Sequence, residues 1–312
     1  MNAAEKARHV AALRDLTVEG GPIDTTGPTA TENNPQYFIR TGLPTGKRAR
    51  LHDEIIEEFF AEKPYVTCDR QAIIMAGPPG AGKSSVLRER IPASEAPHWR
   101  VIDADDFKKR LLKKMAANGQ YEDLIPTVVQ ERISAGEPFF PGEFAALVHE
   151  ESTILAAQAA RRALRLGERV VLDGVNGTTS RLRRRVIELS RNAYVTADII
   201  VVDGPRDVTR ARVEHRHLTH YNAALGGDAE AAYDARFVPG YVTDALYATD
   251  ATHSSCTTAA AETVNAGTID GITFTAYFYE VDDAAGSPQL RKNVGHGWGH
   301  IVTINFAATP TP

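Results

Sequence analysis

A glycine-rich segment at residues 77–84 constrains the fold of this chain more than any other feature. It has the spacing G-x-x-x-x-G-K-S, from Gly77 to Ser84, and it lies between an apolar run at 72–75 and a helix-compatible run at 85–90. This order of strand, glycine loop and helix is typical of a phosphate-binding P-loop. Glycine allows the backbone angles that turn the N–H groups of the loop toward an anion, and the following helix directs its positive end there.

We predict that this loop binds the phosphates of ATP. Lys83 places a positive charge where the β- and γ-phosphates would lie, and the hydroxyl group of Ser84 can complete the coordination shell of Mg²⁺. A turn rich in glycine and proline that matches by chance is the alternative, but the Lys-Ser pair between a strand and a helix argues against it. The predicted nucleotide-binding residues are Gly77, Pro78, Pro79, Gly80, Ala81, Gly82, Lys83, Ser84 and Ser85.

The composition describes an ordinary globular protein and narrows the range of its partners. Of the 312 residues, 43% are hydrophobic and 24% are charged, and the net charge of −5 argues against broad binding of nucleic acid. Cys68 and Cys256 are far apart and outside any C-x-x-C pair, which indicates reduced thiols rather than a zinc site. No signal peptide and no membrane-spanning run is evident. We therefore expect a cytoplasmic protein that binds neither nucleic acid nor membrane.

A second apolar run, at residues 100–102, ends in a cluster of acids that includes Asp103 and Asp105. In a parallel sheet the carboxyl ends of the strands line the ligand crevice, so we expect these acids near the mouth of the P-loop. One carboxylate there can accept the proton of a hydroxyl group that attacks the γ-phosphate, while another caps the next helix. We favour Asp105 over Asp103 as the base.

Two further acids are candidates for substrate binding. Glu151 lies on the apolar stripe of a helix predicted for residues 143–166, where an unpaired carboxylate would be costly to bury. It is either a structural acid paired with an arginine or an acceptor for a polar substrate, and the pattern leaves both open. Asp173 ends a third predicted strand, where it can lie near the Mg²⁺ shell or the substrate, or simply end the strand.

Arginines crowd the segment that follows Pro205. They include Arg206, Arg210, Arg212 and Arg216 on a predicted helix, and Arg236 follows in a later stretch. Arginines on a mobile segment over a phosphate site can neutralise charge as the phosphoryl group moves, although most arginines on a helix surface have no such role. We therefore assign a catalytic role to at most two of them.

The C-terminal residues predict a β-hairpin. The run 272–279 and a short strand near Leu290 would pair across a turn at 282–288, and residues 301–306 form a possible further strand. His296 and His300 suggest metal binding only weakly. We expect an α/β protein with a parallel sheet flanked by helices: an N-terminal extension at 1–50, a P-loop kinase-like domain at 51–290, and a tail at 291–312.

The ordered set of motifs resembles the zeta-toxin family, the toxin half of epsilon/zeta toxin–antitoxin systems. The resemblance spans residues 51–290, and the whole set is far more specific than the P-loop alone. Its motifs are Gly77-Pro78-Pro79-Gly80-Ala81-Gly82-Lys83-Ser84, Ile102-Asp103-Ala104-Asp105-Asp106-Phe107-Lys108, His149-Glu150-Glu151-Ser152, Val171-Leu172-Asp173-Gly174, Arg216, and Ala235-Arg236-Phe237-Val238-Pro239.

The resemblance implies a P-loop kinase that phosphorylates the 3′-hydroxyl of the sugar in UDP-N-acetylglucosamine and so inhibits cell-wall synthesis. By position, Lys83 and Ser84 would hold ATP and Mg²⁺, and Asp105 would be the base. Glu151 and Asp173 would bind the sugar, whereas Arg216 and Arg236 would clamp the phosphates. An epsilon-type antitoxin is the implied protein partner.

One departure from the family leaves the acceptor open. Where some members have threonine after the acid-glycine pair of the third strand, this chain has Val175, so a hydroxyl that would contact the sugar is absent. A kinase for an antibiotic, a dinucleotide or a nucleic-acid end is the alternative within enzymes. A nucleotide-switched binding protein is the alternative of another class, since a fold does not by itself define a function.

Overall fold

The computed structural model describes residues 2–248, 251–267, 269–282, 289–296 and 300–305. The turn predicted after Asp282, Trp298 and the residues from 306 onward lie outside the described part of the chain. No α-helix in the described part is long and apolar enough to cross a membrane.

The secondary structure alternates between strands and helices for most of the chain. The strands are β1 (Phe38–Arg40), β2 (Leu43–Pro44), β3 (Ala72–Ala76), β4 (Arg100–Ile102), β5 (Val170–Leu172), β6 (Thr196–Asp203), β7 (Thr273–Asp282), β8 (Gln289–His296) and β9 (His300–Asn305). The helices are α1 (Ala3–Leu16), α2 (Gly46–Ala61), α3 (Lys83–Arg90), α4 (Ala104–Ala117), α5 (Thr127–Ser134), α6 (His149–Leu166), α7 (Thr179–Ser190), α8 (Arg206–Leu225), α9 (Ala229–Asp234), α10 (Gly240–Leu246) and α11 (Ser255–Asn265).

The chain divides into two compact units, and each is described by itself. Unit 1 comprises Met1–Ala61, Ala104–Gln158 and Val213–Val242, and unit 2 comprises Glu62–Asp103, Ala159–Arg212 and Thr243–Pro312. The domain boundaries that we predicted at residues 50 and 290 stay a prediction.

Unit 2 contains a seven-stranded sheet with the order β4-β5-β3-β6-β7-β8-β9. The first five strands are parallel, while β7–β8 and β8–β9 are antiparallel pairs. The predicted α/β fold with a P-loop kinase-like parallel sheet and a C-terminal hairpin is therefore confirmed. The possible strand at residues 301–306 is present as β9, within the region that we predicted as a tail.

Apolar residues on both faces of the sheet hold unit 2 together. Ile73 and Met75 of β3 belong to a buried cluster with Val86 of α3, and α11 contacts β3, β6 and β7 and packs on α7. Because successive side chains of a strand point to opposite faces, a five-residue strand buried at every position needs helices on both sides. All five residues of β3 are buried, which explains why its sequence is a continuous apolar run.

Unit 1 has its own core, built mainly from helices. Phe59 of α2 packs against Phe107 of α4 with ring centroids 5.0 Å apart, and the apolar stripe of α4 is fully buried. The helix predicted for residues 143–166 differs in the structure, because Pro141–Val148 is a 3₁₀-helix and α6 begins at His149. The Glu143 carboxylate accepts a hydrogen bond from the backbone N–H of Phe140, and this capping contact holds the chain in the tighter 3₁₀ turn.

A buried carboxylate at the end of β6 ties the start of α11 to the sheet of unit 2. Asp203 is 1% exposed. Its Oδ2 accepts hydrogen bonds from the backbone N–H and hydroxyl of Ser254, at 2.9 and 2.8 Å, and from the Thr257 hydroxyl at 2.6 Å. Its Oδ1 accepts from the N–H of Gly204. Both carboxylate oxygens of Asp203 thus accept from backbone N–H groups. The N–H₂ group of an asparagine in this place would therefore point at another donor.

We predict that Asp203→Asn lowers the free energy of unfolding by about 2 kcal/mol, because one buried donor is left without an acceptor. Thr257→Val removes a single hydroxyl donor and is expected to cost about 1 kcal/mol. Urea unfolding followed by circular dichroism measures both. An Asp203→Asn variant as stable as the wild type would contradict this account of the network.

Candidate functional site

The P-loop in unit 2 has the geometry that its sequence predicts. Residues 77–82 connect β3 to α3, and Gly82 precedes the helix with φ 92°. Lys83 opens α3, and its Nζ donates to the carbonyl oxygens of Gly77 at 2.9 Å and Pro78 at 3.4 Å. A helix that begins directly after a glycine loop presents unpaired backbone N–H groups and its positive end to an anion.

Gly77 is where the loop passes closest to a neighbouring strand. Its φ is 146°, and a Cβ added to it would lie 2.1 Å from the carbonyl oxygen of Val202 in β6. On the other side, the N–H of Gly77 donates to the carbonyl oxygen of Val175 at 3.0 Å. Glycine is therefore required here by contact as well as by backbone angle.

The segment after β5 supports the loop through backbone and side chain. Asn176 is buried, has φ 48°, and donates from Nδ2 to the carbonyl oxygen of Met75 at 2.7 Å. Val175 is half-buried, and its carbonyl oxygen accepts a hydrogen bond from the loop. The residue that departs from the family pattern thus contributes to the loop through its backbone.

Oxygen ligands suited to Mg²⁺ follow adjacent strands of the same sheet. β5 lies between β3 and β4, and the register pairs Ile102 with Leu172, so Asp103 and Asp173 leave the sheet at the same edge as the P-loop. Ser84 adds an exposed hydroxyl group at the start of α3. Carboxylate and hydroxyl oxygens are the ligands that Mg²⁺ prefers, and this donor set fits the ion.

Arg212 is a basic residue near the loop that the sequence analysis did not single out. Its Nη1 lies 4.0 Å from the position that a Cβ on Gly82 would occupy. Arg212 precedes Arg216 by four residues on α8. This i, i+4 spacing is the signal that could have identified it among the neighbouring arginines, because residues four apart lie on one face of a helix.

Asp105, the predicted base, lies in an ionic cluster of unit 1. Its Oδ1 is 3.0 Å from Nζ of Lys108, and its Oδ2 is 2.8 Å from Nη1 of Arg236. Its side chain keeps 41% of its surface exposed. Burial opposes the charge, but Lys108, Arg236 and Arg216 together hold the pKa of Asp105 well below its usual range. The structure therefore brings three of the predicted site residues together around an ionised carboxylate.

Glu151, a predicted substrate ligand, is fully buried in unit 1. Arg48 donates to it from Nε at 2.5 Å and Nη2 at 2.7 Å, and His52 donates from Nε2 at 2.6 Å. Burial would raise the pKa of Glu151, but His52 and Arg48 lower it to about 2. The contacts match the structural alternative, an acid paired with arginine. Oε2 has one recorded donor, so it keeps capacity for a further hydrogen bond, and the substrate role stays a prediction.

A second buried polar cluster in unit 1 was missed from the sequence. Nε2 of His9 and Nε2 of His217 lie 2.7 and 2.9 Å from the same Oε1 of Glu143, and all three residues are buried. Nδ1 of His9 is 2.7 Å from Glu137. Burial would lower the pKa of His9, but Glu143 and Glu137 raise it. Metal-ligand atoms at 2.0–2.1 Å in tetrahedral geometry lie about 3.3 Å apart, so these shorter distances are those of hydrogen bonds.

Solved structures similar to this chain include chains from two systems. A chain of the native AvrRxo1-ORF1:ORF2 complex is 14% identical, with 85% of this chain and 72% of that chain covered and a TM-score of 0.52. The same complex with ATP is 15% identical, with coverage of 84% and 71% and a TM-score of 0.49. A structure of the PezAT chromosomal toxin–antitoxin system of Streptococcus pneumoniae is 13% identical, with coverage of 57% and 66% and a TM-score of 0.40.

The native AvrRxo1 complex shows the fold alone, and we base no argument on the two structures with lower scores. That match supports the resemblance noted in the sequence at the level of the fold. No curated protein matches the sequence.

A family model described as an AAA domain matches residues 73–237. The match begins in β3, includes the whole P-loop, and ends one residue after Arg236. It covers more than half of the sequence, and the chain therefore belongs to this family of AAA domains.

Proposed function

We propose that this protein is an ATP-dependent phosphotransferase of zeta-toxin type. It would transfer the γ-phosphoryl group of ATP to a hydroxyl group of UDP-N-acetylglucosamine or a related nucleotide sugar. The observation that carries the proposal is Asp105, a carboxylate held ionised by Lys108 and Arg236 in a chain that also folds a P-loop. An ionised acid is the group that a kinase needs to orient an acceptor hydroxyl.

The P-loop residues bind the donor in this proposal. Backbone N–H groups of the loop and of the start of α3, together with the ammonium group of Lys83, hold the phosphates, and Ser84 with Asp173 would hold Mg²⁺. The ion, when bound, neutralises charge on the β- and γ-phosphates. Arg212 lies beside Gly82 and adds a further positive charge for the phosphates. Asp173 is equally suited to a sugar hydroxyl, as the resemblance implies.

Asp105 and the two proposed clamp arginines change roles as the reaction proceeds. The phosphates of ATP offer Arg236 a second anionic partner, which weakens its ion pair with Asp105. The pKa of Asp105 then rises, because a nearby positive charge that lowered it is withdrawn. The carboxylate becomes a better acceptor for the proton that leaves the attacking hydroxyl, while Arg216 and Arg236 stabilise the phosphoryl group in transfer.

The proposed physiological consequence is inhibition of cell-wall synthesis, with a protein antitoxin of epsilon type as the partner that restrains it. Both follow from the motif resemblance. The alternative that a specific observation favours is a nucleotide-switched protein. Buried Glu151, paired with Arg48 and His52, is as well suited to support a switch as to bind a sugar.

Purified protein incubated with MgATP and a panel of UDP-sugars should yield a phosphorylated sugar nucleotide, detected by mass spectrometry. Asp105→Asn is expected to lower kcat by about 100-fold or more, because the variant cannot accept the proton. Asp106→Asn is the matched control, since Asp106 pairs with Arg110 on the same helix and has no proposed role. Its kcat should stay within about twofold of the wild type.

Equal consumption of ATP with and without every sugar, unchanged in Asp105→Asn, would contradict the transferase proposal. That result would favour a simple nucleotide hydrolase or a switch. A phosphorylated product from a different acceptor class, such as an antibiotic, would keep the kinase and replace the nucleotide sugar.

Expression in bacteria should inhibit growth, and Lys83→Ala should relieve the inhibition because the loop loses its charge for the phosphates. Arg88→Ala provides the control, because Arg88 is an exposed basic residue on the same helix α3. Growth curves after induction at matched protein levels make the comparison. If cells expressing the wild type grow as fast as uninduced cells, toxicity is excluded.

Glu151→Gln separates a structural from a substrate-binding role. It leaves Arg48 buried without a counter-charge, so we expect a loss of about 3–5 kcal/mol in the free energy of unfolding. In the wild type, the contribution of this carboxylate is present above pH 4.5 and is lost as the pH falls toward its folded pKa of about 2. The stability of Glu151→Gln should therefore depend less on pH between 5 and 3. A rise in KM for the sugar at unchanged stability would instead assign Glu151 to the substrate.

A further inference from the structure

The His9–Glu143–His217 cluster joins three separate segments of unit 1. His9 belongs to α1, Glu143 to the 3₁₀-helix at Pro141–Val148, and His217 to α8. One carboxylate oxygen is within hydrogen-bond distance of both imidazole rings, and the other accepts from the N–H of Phe140. Tyr221 stacks on the His9 ring with centroids 4.6 Å apart. The position of α8 near His217 is thus fixed from the side of the core.

His217 adjoins Arg216 in the chain and contacts Phe237, the neighbour of Arg236. Arg216 directly precedes His217. The His217 ring meets the Phe237 ring edge-on, with centroids 5.4 Å apart and an interplanar angle of 89°. Phe237 follows Arg236, whose guanidinium group contacts Asp105. His217 is therefore bonded in the chain to Arg216 and packs against the residue that follows Arg236.

Stability alone does not require a polar cluster here. Well-packed apolar residues of similar volume stabilise a core as well as buried ionic groups do, or better. Hydrogen bonds add what apolar contacts lack, which is a defined direction. Nδ1 of His217 has no hydrogen-bond partner within the described part of the chain. The Nε2 contact with Glu143 and the Phe237 ring therefore set the orientation of His217.

We propose that His217, held by Glu143 and His9, is a positioning residue that aligns Arg216 and Arg236 for the phosphates of ATP. The inference rests on the proposed function, which gives both arginines their role. A displacement of about 1 Å at a catalytic group can lower a rate by two orders of magnitude, so a buried hydrogen bond one residue away can control the chemistry.

Three variants test the two contacts of His217 separately. His217→Phe keeps a ring against Phe237 but loses the hydrogen bond to Glu143. His217→Gln places an amide nitrogen where it can still donate to Glu143 but removes the ring. Phe237→Leu leaves His217 intact and removes the edge-on contact. His215→Gln is the matched control, because His215 is exposed on the same helix.

The measurement is the affinity for MgATP and MgADP by titration calorimetry, without any acceptor. Arginines that clamp the γ-phosphate contribute more to the affinity for ATP than to the affinity for ADP. We expect His217→Phe to weaken the binding of ATP about 10-fold, or about 1.4 kcal/mol, and the binding of ADP less than twofold. His217→Gln and Phe237→Leu should be intermediate, and His215→Gln should match the wild type. A higher affinity for ATP in His217→Gln than in His217→Phe supports the hydrogen bond as the positioning contact.

Three results would overturn the inference, and Arg216→Gln and Arg236→Gln in the same assay distinguish their causes. If these arginine variants lower the ATP-to-ADP affinity ratio but His217→Phe and Phe237→Leu do not, the positioning role is wrong and the proposed function stands. If the arginine variants leave the ratio unchanged, the phosphate clamp itself is wrong. Equal weakening of ATP and ADP in His217→Phe, accompanied by a lower Tm, indicates a purely structural residue and also overturns the inference.

Discussion

The backbone at Gly77 passes so close to β6 that no side chain fits between them. A Cβ there would lie 2.1 Å from the carbonyl oxygen of Val202, well inside the contact distance of two atoms. On the opposite side the same residue donates to Val175. The loop is thereby held between β6 and the segment that follows β5, and α3 with Lys83 begins where this loop ends.

Three buried carboxylates also connect segments of the chain through hydrogen bonds. Glu151 accepts hydrogen bonds from two residues of α2, Glu143 lies within hydrogen-bond distance of His9 and His217, and Asp203 accepts from Gly204 and from the start of α11. Such groups are expensive to bury, so each stabilises its surroundings only while all its donors are present. Their shared contribution is to fix which segments meet and in which orientation, whereas the apolar core supplies most of the favourable free energy.

The features predicted correctly from the sequence are those encoded within a few residues. The P-loop spacing and the acids that follow β4 and β5 are evident from local patterns, and the parallel sheet follows from the alternation of strands with helices. The His9–Glu143–His217 cluster could not be predicted, because its members are 134 and 74 residues apart and no local spacing relates them. Glu151 was recognised as an anomaly on an apolar stripe, but its partner Arg48 lies 103 residues away. The break at His149 was missed because the apolar stripe continues through it.

The backbone contact at Val175 has an evolutionary consequence. Any amino acid there can offer the carbonyl oxygen that Gly77 requires, and Asn176 makes the side-chain contact that supports β3. The side chain of residue 175 is therefore not needed for this hydrogen bond. The family resemblance implies an acceptor contact at this position, so in the proposed kinase a mutation here would alter the preferred acceptor while the nucleotide-binding loop is inherited unchanged.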